Sequence, residues 1–339
     1  MREKVEVLIT IPMPDDLVEE IRKVSDFVRV TALPVRERTE VPEEVWHNTE
    51  ILYSMHTFPE AGQAPKLRWV QSYLSGVEKD IHQPLFDEGG PMLTSMSGAN
   101  ASQVAEHVLT MILALGHNLP GFGSLQREHT WMTEKVRKYL PREVRGSTVG
   151  VIGYGSIGRH VARLVAGMGA EVLAVKRDGM TPEHHGYSTK GLGDPEGNLF
   201  KRLYPPQAIR SMAALCDFLV VCVPQTAATS GLVGAAQLAA MKEGAFLIDV
   251  SRGGVVDHAA LVEALQAGRI AGAALDVFLE EPLPVDSPLW DLPNVILTPH
   301  VAGFSPDYNQ RANELFIENL SRYLSGQVLL NVVKREREY

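Results

Sequence analysis

The sequence predicts an α/β protein with parallel sheets in two domains, and three observations carry that prediction. Its 339 residues are about two domains' worth at roughly 100–200 residues each. In the N-terminal part, short β-rich runs, "VEVLIT", "RVTAL", "EILYS", "LRWVQSYL" and "PMLTS", alternate with helical or loop stretches such as "DDLVEEIRKVSD". Alternation on that scale means strands joined by crossovers. A second series begins at "STVGVIGYG" and continues through "EVLAV", "DFLVVCVP", "AFLIDVS", "AGAALDVF" and "NVILTPH".

The remaining elements follow in order. Between the two series lies "NASQVAEHVLTMILALGHNL", apolar on nearly every face after an Asn100 cap with Gln103 three residues on, which reads as a long buried helix connecting the domains. Within the second series Gly169, Gly244 and Gly268 fall where helices should stop in a left-handed residue. "DGMTPEHHGYSTKGLGDPEGNLFKRLYPP", rich in Gly and Pro, reads as a surface loop inserted over residues 179–206. The tail "PDYNQRANELFIENLSRYLSG" is a helix that can return to the first domain.

Composition narrows the function. With 45% hydrophobic residues the chain reads as globular. Its N-terminus "MREKVEVLIT" lacks the apolar core of a secretion signal. No apolar run approaches the roughly 20 residues a bilayer span needs, so a cytoplasmic protein without a membrane partner is expected. A net charge of −9 argues against nucleic-acid binding. Cys216 and Cys222 share neither C-x-x-C spacing nor a histidine pair and are expected as buried free thiols. No metal site is expected, His184 and His185 being adjacent in the insertion without further ligands.

"GVIGYGSIGRHVA" is a strand, then Gly153-x-Gly155-x-x-Gly158, then a helix. That is the context of a dinucleotide fingerprint: Gly153 permits the turn, Gly155 admits the pyrophosphate, Gly158 lets helix pack on strand, and the helix N-terminus attracts phosphate. Ser156 and Ile157, which open the helix, count as cofactor-binding with them. The ribose-reading residue should follow the second strand about 20 residues on, in "EVLAVKRDGM". Lys176 and Arg177 stand there in place of a carboxylate, and two cations attract the 2′-phosphate of NADP. Asp178, just beyond, keeps NAD as the alternative.

Three later strand ends each deliver polar residues that packing does not need: "IDVSRGGVVD" gives Arg252, "LDVFLEEP" gives Asp276 and Glu281, and "VILTPHVAG" gives His300. Ligands bind outside the carboxyl ends of strands in open α/β sheets. A guanidinium fork holds a carboxylate, an imidazole moves a proton at neutral pH, and a carboxylate behind it supports the imidazolium.

Together "GYGSIG", "CVPQTAATSGLV", "LIDVSRGGVVD", "ALDVFLEEPLP", "LWDLPNVILTPHVAG" and "SGANASQVAEHVL" resemble the D-isomer-specific 2-hydroxyacid dehydrogenases, over essentially the whole chain. The resemblance implies two Rossmann-like/flavodoxin-like doubly wound parallel-sheet domains with a cleft between them: residues 1–117 plus 306–339 for substrate binding and 118–305 for the dinucleotide. It implies that Arg252 binds the substrate carboxylate and carbonyl, that His300 is the proton donor and acceptor, and that Glu281, directly before Pro282, pairs with His300. Asp276 would hold the nicotinamide carboxamide, with Val250, Ser251 and Gly303 beside it. Val223 and Pro224 would sit by the cofactor ribose and phosphate. Ser75 and Gly76 would present backbone N–H groups to the substrate carboxylate.

The expected reaction is hydride transfer between NAD(P)H and a small 2-oxo acid of glyoxylate or hydroxypyruvate type, giving the D-2-hydroxy acid, in a homodimer. A formate dehydrogenase-like enzyme is one alternative, against which Glu281 stands where those relatives look to have Gln. A dinucleotide-sensing corepressor-like protein is the other. Met55, His56, Tyr73 and Phe304 are candidates for the side-chain pocket. Trp131 is assigned either to packing or to a partner subunit's site. His117 stands where many relatives have Arg.

Overall fold

A computed structural model describes residues 4–132 and 140–337 of the chain, which divides into two compact units, Met1–Asn100 with Ser305–Tyr339, and Ala101–Phe304. The first unit contains β1 (Val5–Ile9), α1 (Asp15–Arg22), β2 (Val28–Ala32), α2 (Glu43–Asn48), β3 (Ile51–Ser54), β4 (Trp69–Ser72) and β5 (Met92–Thr94). Among the described residues its sheet has five strands in the order β2-β1-β3-β4-β5, every neighbouring pair parallel. That is the flavodoxin-like order. β3 and β4 are buried at every position because a parallel sheet is covered on both faces, so such strands read as unbroken apolar runs.

The second unit contains α3 (Ala101–Gly116), α4 (Leu119–Arg127), β6 (Thr148–Ile152), α5 (Ser156–Gly167), β7 (Glu171–Val175), β8 (Arg202–Tyr204), α6 (Ile209–Ala213), β9 (Phe218–Val221), α7 (Ala235–Ala240), β10 (Phe246–Asp249), α8 (His258–Gln266), β11 (Gly272–Leu275) and β12 (Val295–Leu297). Its described strands form a seven-stranded parallel sheet, β12-β11-β10-β9-β6-β7-β8, the Rossmann order with an added strand. One core, with Leu173, Leu219, Leu247 and Leu275, packs on one face; the other, with Val104, Val108, Val149, Val151 and Val220, brings α3 and α5 onto the opposite face. Gly169 and Gly268, just past the C-caps of α5 and α8, take φ of 86° and 64°, the left-handed stops expected of them; Gly244, with φ 83°, instead turns the chain three residues beyond Met241, the extended C-cap at which α7 has already ended.

Two further expectations change. The first boundary, expected after residue 117, falls between Asn100 and Ala101, because α3 packs along α5 and against β10 and β11. The inserted segment is more than a surface loop, since it supplies edge strand β8, paired with β7 from Leu173↔Arg202 to Val175↔Tyr204. A three-residue strand followed by Pro205 and Pro206 is too short to show a period.

α9 (Tyr308–Leu324) packs in the first unit. Phe316 stacks on Tyr53 at 4.5 Å between ring centres, Asn313 Nδ2 donates to the Leu17 carbonyl at 3.3 Å, and Asn319 Nδ2 donates to Gln71 Oε1 at 3.2 Å. Among the described residues no single helix is long and apolar enough to cross a membrane.

Candidate active site

All strands of the second unit run parallel, so the segments leaving β6, β9, β10, β11 and β12 emerge at one edge of the sheet. The strand order reverses at β6, which has β9 on one side and β7 on the other, and such a switch point is where ligands bind. The glycine turn stands there. Gly153 has φ 107° and an added Cβ would lie 2.8 Å from the Cys222 carbonyl oxygen; a Cβ on Gly158 would lie 2.1 Å from that of Gly153.

Packing therefore accounts for these two glycines and not for the third. Gly155 caps α5 without a side-chain hydrogen bond, and a Cβ there would meet nothing within 4 Å. Open space before a helix N-terminus suits a pyrophosphate, so the residues present fit a dinucleotide. Ser156 and Ile157 begin α5 half-buried; Val223 and Pro224 are half-buried beyond β9. Cys216 and Cys222 are free thiols, buried and half-buried respectively.

At the end of β7 the two expected cations differ. The Lys176 ammonium donates to the carbonyls of Thr181 and, at 3.2 Å, Glu183, tying down the insertion, whereas Arg177 is exposed. Asp178 is committed to the same turn, accepting from Met180 N–H at 3.0 Å and from the Thr181 hydroxyl at 2.6 Å. Behind them Arg159, 1% exposed, donates to the carbonyls of Asp194 and Pro182.

The same edge brings together the candidate trio Arg252, Glu281 and His300. His300 Nδ1 and Glu281 Oε2 lie 2.7 Å apart, and Phe278 N–H donates to Glu281 Oε1 at 2.9 Å. Burial raises the Glu281 pKa, but the His300 and Phe278 hydrogen bonds and the charges of His300 and Arg252 outweigh it, holding the carboxyl below the ordinary glutamate value. Arg252 Nη1 donates to the Ser251 carbonyl at 2.8 Å. The next residue explains the proximity of the two loops: a Cβ on Gly253 would stand 1.9 Å from the Phe278 carbonyl oxygen, so only glycine lets the Arg252 loop lie on the one that holds Glu281.

His300 itself has φ 55°, a left-handed backbone uncommon outside glycine and of the kind found at functional sites. Asp276 holds its segment. Asp276 Oδ1 accepts from the Thr298 hydroxyl at 2.6 Å and Val301 N–H at 2.9 Å, and Oδ2 accepts from Ala302 N–H at 2.9 Å. These bonds were invisible in the sequence, which offered Asp276 as a cofactor ligand. Val250 and Ser251 are buried at the end of β10 and Gly303 is half-buried after β12.

In the first unit Ser75 and Gly76 are half-buried on the turn after β4, where Ser75 Oγ donates to the Met96 carbonyl at 3.0 Å. Tyr73 is bonded to Asn309, and His56 Nδ1 lies 3.2 Å from Asp80 Oδ1. Met55 is exposed there, as is Phe304 in the second unit.

Residues 109–302 match the family described as D-isomer specific 2-hydroxyacid dehydrogenase, NAD binding domain. The chain belongs to the D-isomer specific 2-hydroxyacid dehydrogenase family. It is similar to a glyoxylate reductase of Korarchaeum cryptofilum, at 34% identity over 275 residues covering 80% of this chain and 78% of the relative. Among solved structures it resembles the family member of Xanthobacter autotrophicus Py2 in complex with NADPH and MES, with TM-score 0.81, 29% identity and all of both chains covered. It also resembles the NADPH-dependent glyoxylate/hydroxypyruvate reductase of Sinorhizobium meliloti in complex with NADP and sulfate, with TM-score 0.75, 25% identity, and 99% of this chain and all of that one covered.

This 2-hydroxyacid dehydrogenase is thus an NAD(P)-dependent oxidoreductase with two parallel-sheet α/β domains, as its motifs implied. What sequence reading missed in it is Asp249, the last residue of β10, whose Oδ1 accepts from Ser251 N–H at 3.0 Å and from the Ser251 hydroxyl at 2.5 Å. A lone polar residue in "LIDV" was the only signal.

Proposed function

We propose that the enzyme reduces small 2-oxo acids of glyoxylate or hydroxypyruvate type to D-2-hydroxy acids, with NADPH favoured and NADH the alternative. The observation that carries this reading is the His300–Glu281 pair beside the Arg252 loop. Similarity to the glyoxylate and glyoxylate/hydroxypyruvate reductases supports the substrate class, and similarity to structures holding NADPH or NADP supports the cofactor.

When bound, the nicotinamide supplies the hydride. Arg252 holds the substrate carboxylate and polarises its carbonyl. With Nδ1 committed to Glu281, the His300 ring turns Nε2 toward the substrate, gives its proton to the carbonyl oxygen during reduction, and recovers it during oxidation. The charged Glu281 fixes the ring and stabilises the imidazolium, as a carboxylate does in other acid–base pairs. In the first unit, the Ser75–Gly76 turn, pinned through Met96, donates N–H groups to a substrate carboxylate. In the second, Gly153, Gly155, Ser156, Ile157 and Gly158 take the pyrophosphate, Arg177 the 2′-phosphate with Lys176 beside it holding the insertion in place, Val223 and Pro224 the ribose, and Val250, Ser251, Asp276 and Gly303 the nicotinamide end.

The proposal includes a cytoplasmic homodimer that acts on neither membrane nor nucleic acid. Leu119, Phe122 and Trp131 stand exposed along α4 and the segment after it, which supports a second copy covering them. Formate oxidation releases a hydride without a proton, so it gives the His300–Glu281 pair nothing to do; a corepressor-like role likewise leaves it idle. The test is loss of nicotinamide absorbance with NADPH and NADH against a panel of 2-oxo acids. Turnover of glyoxylate or hydroxypyruvate is expected, and failure of every 2-oxo acid with both cofactors would overturn the reading.

A further inference from the structure

β10 ends in a carboxyl group for which the proposed chemistry has no use. Asp249 is fully buried. Its Oδ1 takes both the N–H and the hydroxyl of Ser251, a local side-chain turn of the kind aspartate forms two residues along. The Ser251 carbonyl in turn accepts from Arg252 Nη1. Three hydrogen bonds therefore run from the rigid end of the strand to the guanidinium. Asp249 Oδ2 has no hydrogen-bond partner among the described residues, and leaving a buried polar atom unpaired costs about 1–3 kcal/mol. A hydrophobic residue would avoid that cost, so the turn at Oδ1 is what the carboxyl supplies in return.

A neighbouring strand repeats the device. Asp276, one residue beyond β11, donates its N–H to the Asp249 carbonyl at 3.0 Å, and its carboxylate fastens Thr298, Val301 and Ala302 around His300. Two buried carboxyls at adjacent strand ends each tie down the loop that bears one reactive side chain.

We propose that Asp249 is the positioning residue of Arg252, fixing the Ser251–Arg252 turn so that the guanidinium fork faces the substrate carboxylate. This rests on the reading of Arg252 as the substrate-binding residue. Burial, opposed by the Ser251 hydrogen bonds and reinforced by the Asp276 charge, pushes the Asp249 carboxyl up to about 7. Near neutrality the neutral acid is therefore well populated. An asparagine, uncharged and retaining the oxygen that Ser251 needs, is its closest permanent substitute.

The test compares wild type, Asp249→Asn, Asp249→Ala and Ser251→Ala by steady-state glyoxylate reduction at saturating NADPH, by NADPH fluorescence titration, and by calorimetry of oxalate binding to the NADPH complex. Asp249→Ala is expected to raise the glyoxylate KM about tenfold or more with a smaller change in kcat, and to weaken oxalate in parallel. Asp249→Asn should stay within about threefold of wild type, and the NADPH dissociation constant within about twofold in both Asp249 variants. Ser251→Ala, which keeps the buried carboxyl and removes one of its bonds, should raise KM in the same direction and carries the test should Asp249→Ala not fold. Unchanged KM and oxalate affinity in the alanine variants, equal damage from Asn and Ala at position 249, or an equal loss of NADPH affinity in the Asp249 variants would overturn the positioning role. A wild type that binds oxalate and reduces no 2-oxo acid would overturn the proposed function alone, leaving the oxalate comparison to decide on Asp249.

Discussion

His300 Nδ1 and Glu281 Oε2 meet at 2.7 Å although 19 residues separate them in the chain, and the Phe278 N–H holds the other carboxylate oxygen. The imidazole is therefore oriented from a neighbouring loop while its own backbone is held at φ 55°. Replacing Glu281 with Gln keeps the shape and removes the charge. Glu281→Gln should lower kcat for 2-oxo acid reduction about tenfold or more. A kcat equal to that of wild type would refute the pairing.

His300→Asn separates chemistry from fold, since asparagine tolerates the left-handed backbone that His300 occupies. It should reduce kcat by about 10²- to 10⁴-fold with the melting temperature and NADPH affinity near those of wild type. Arg252→Ala should instead act mainly on KM for the 2-oxo acid. Steady-state kinetics on the two variants check both, and full activity of His300→Asn would reassign the acid.

Asp276→Ala leaves the Thr298 hydroxyl and the N–H groups of Val301 and Ala302 without their acceptor. The expected cost is about 2–4 kcal/mol of stability, read from urea unfolding, together with reduced kcat because His300 lies inside the released segment. Loss of nicotinamide affinity with stability intact would instead make Asp276 a cofactor ligand and nothing more.

Lys176 and Arg177 stand side by side, but the Lys176 ammonium is bonded to the Thr181 and Glu183 carbonyls. Arg177→Ala should weaken NADPH about tenfold and NADH far less, as loss of a guanidinium–phosphate contact requires. Lys176→Ala should affect the two cofactors alike and make the insertion easier to cleave by protease. Fluorescence titration with both cofactors tests this, and an equal change of the NADPH/NADH ratio in both variants would give the phosphate to both cations.

The buried Asp249 carboxyl makes stability depend on pH in a stated direction. Its folded pKa of about 7 lies above the unfolded aspartate value of about 3.9. Its contribution is thus fully present below the unfolded value and is lost as pH rises through about 7. Asp249→Asn does not titrate, so its stability relative to wild type should rise by about 2.5 kcal/mol between about pH 5 and pH 8. Denaturant midpoints at the two pH values measure the difference; parallel curves would mean that the carboxyl ionises as in water.

By itself the sequence determined the family and the two parallel sheets, and it pointed to Arg252, Glu281 and His300 as the candidate trio. Each rests on signals a short segment carries: apolar runs bounded by glycines, the Gly153–Gly158 turn, and polar residues at strand ends. It did not reveal β8, whose three residues are too few to show a period. It placed the domain boundary too late, because the apolar α3 carries no mark of which sheet it covers. Only the tertiary structure decided that Lys176 ties down the insertion, that Asp276 fastens the His300 loop, and that Asp249 anchors the turn bearing Arg252. Hydrogen-bond partners are set by parallel strand register, which brings residues 249, 276 and 300 to one sheet edge. No local pattern along the chain encodes distances between loops that meet only there.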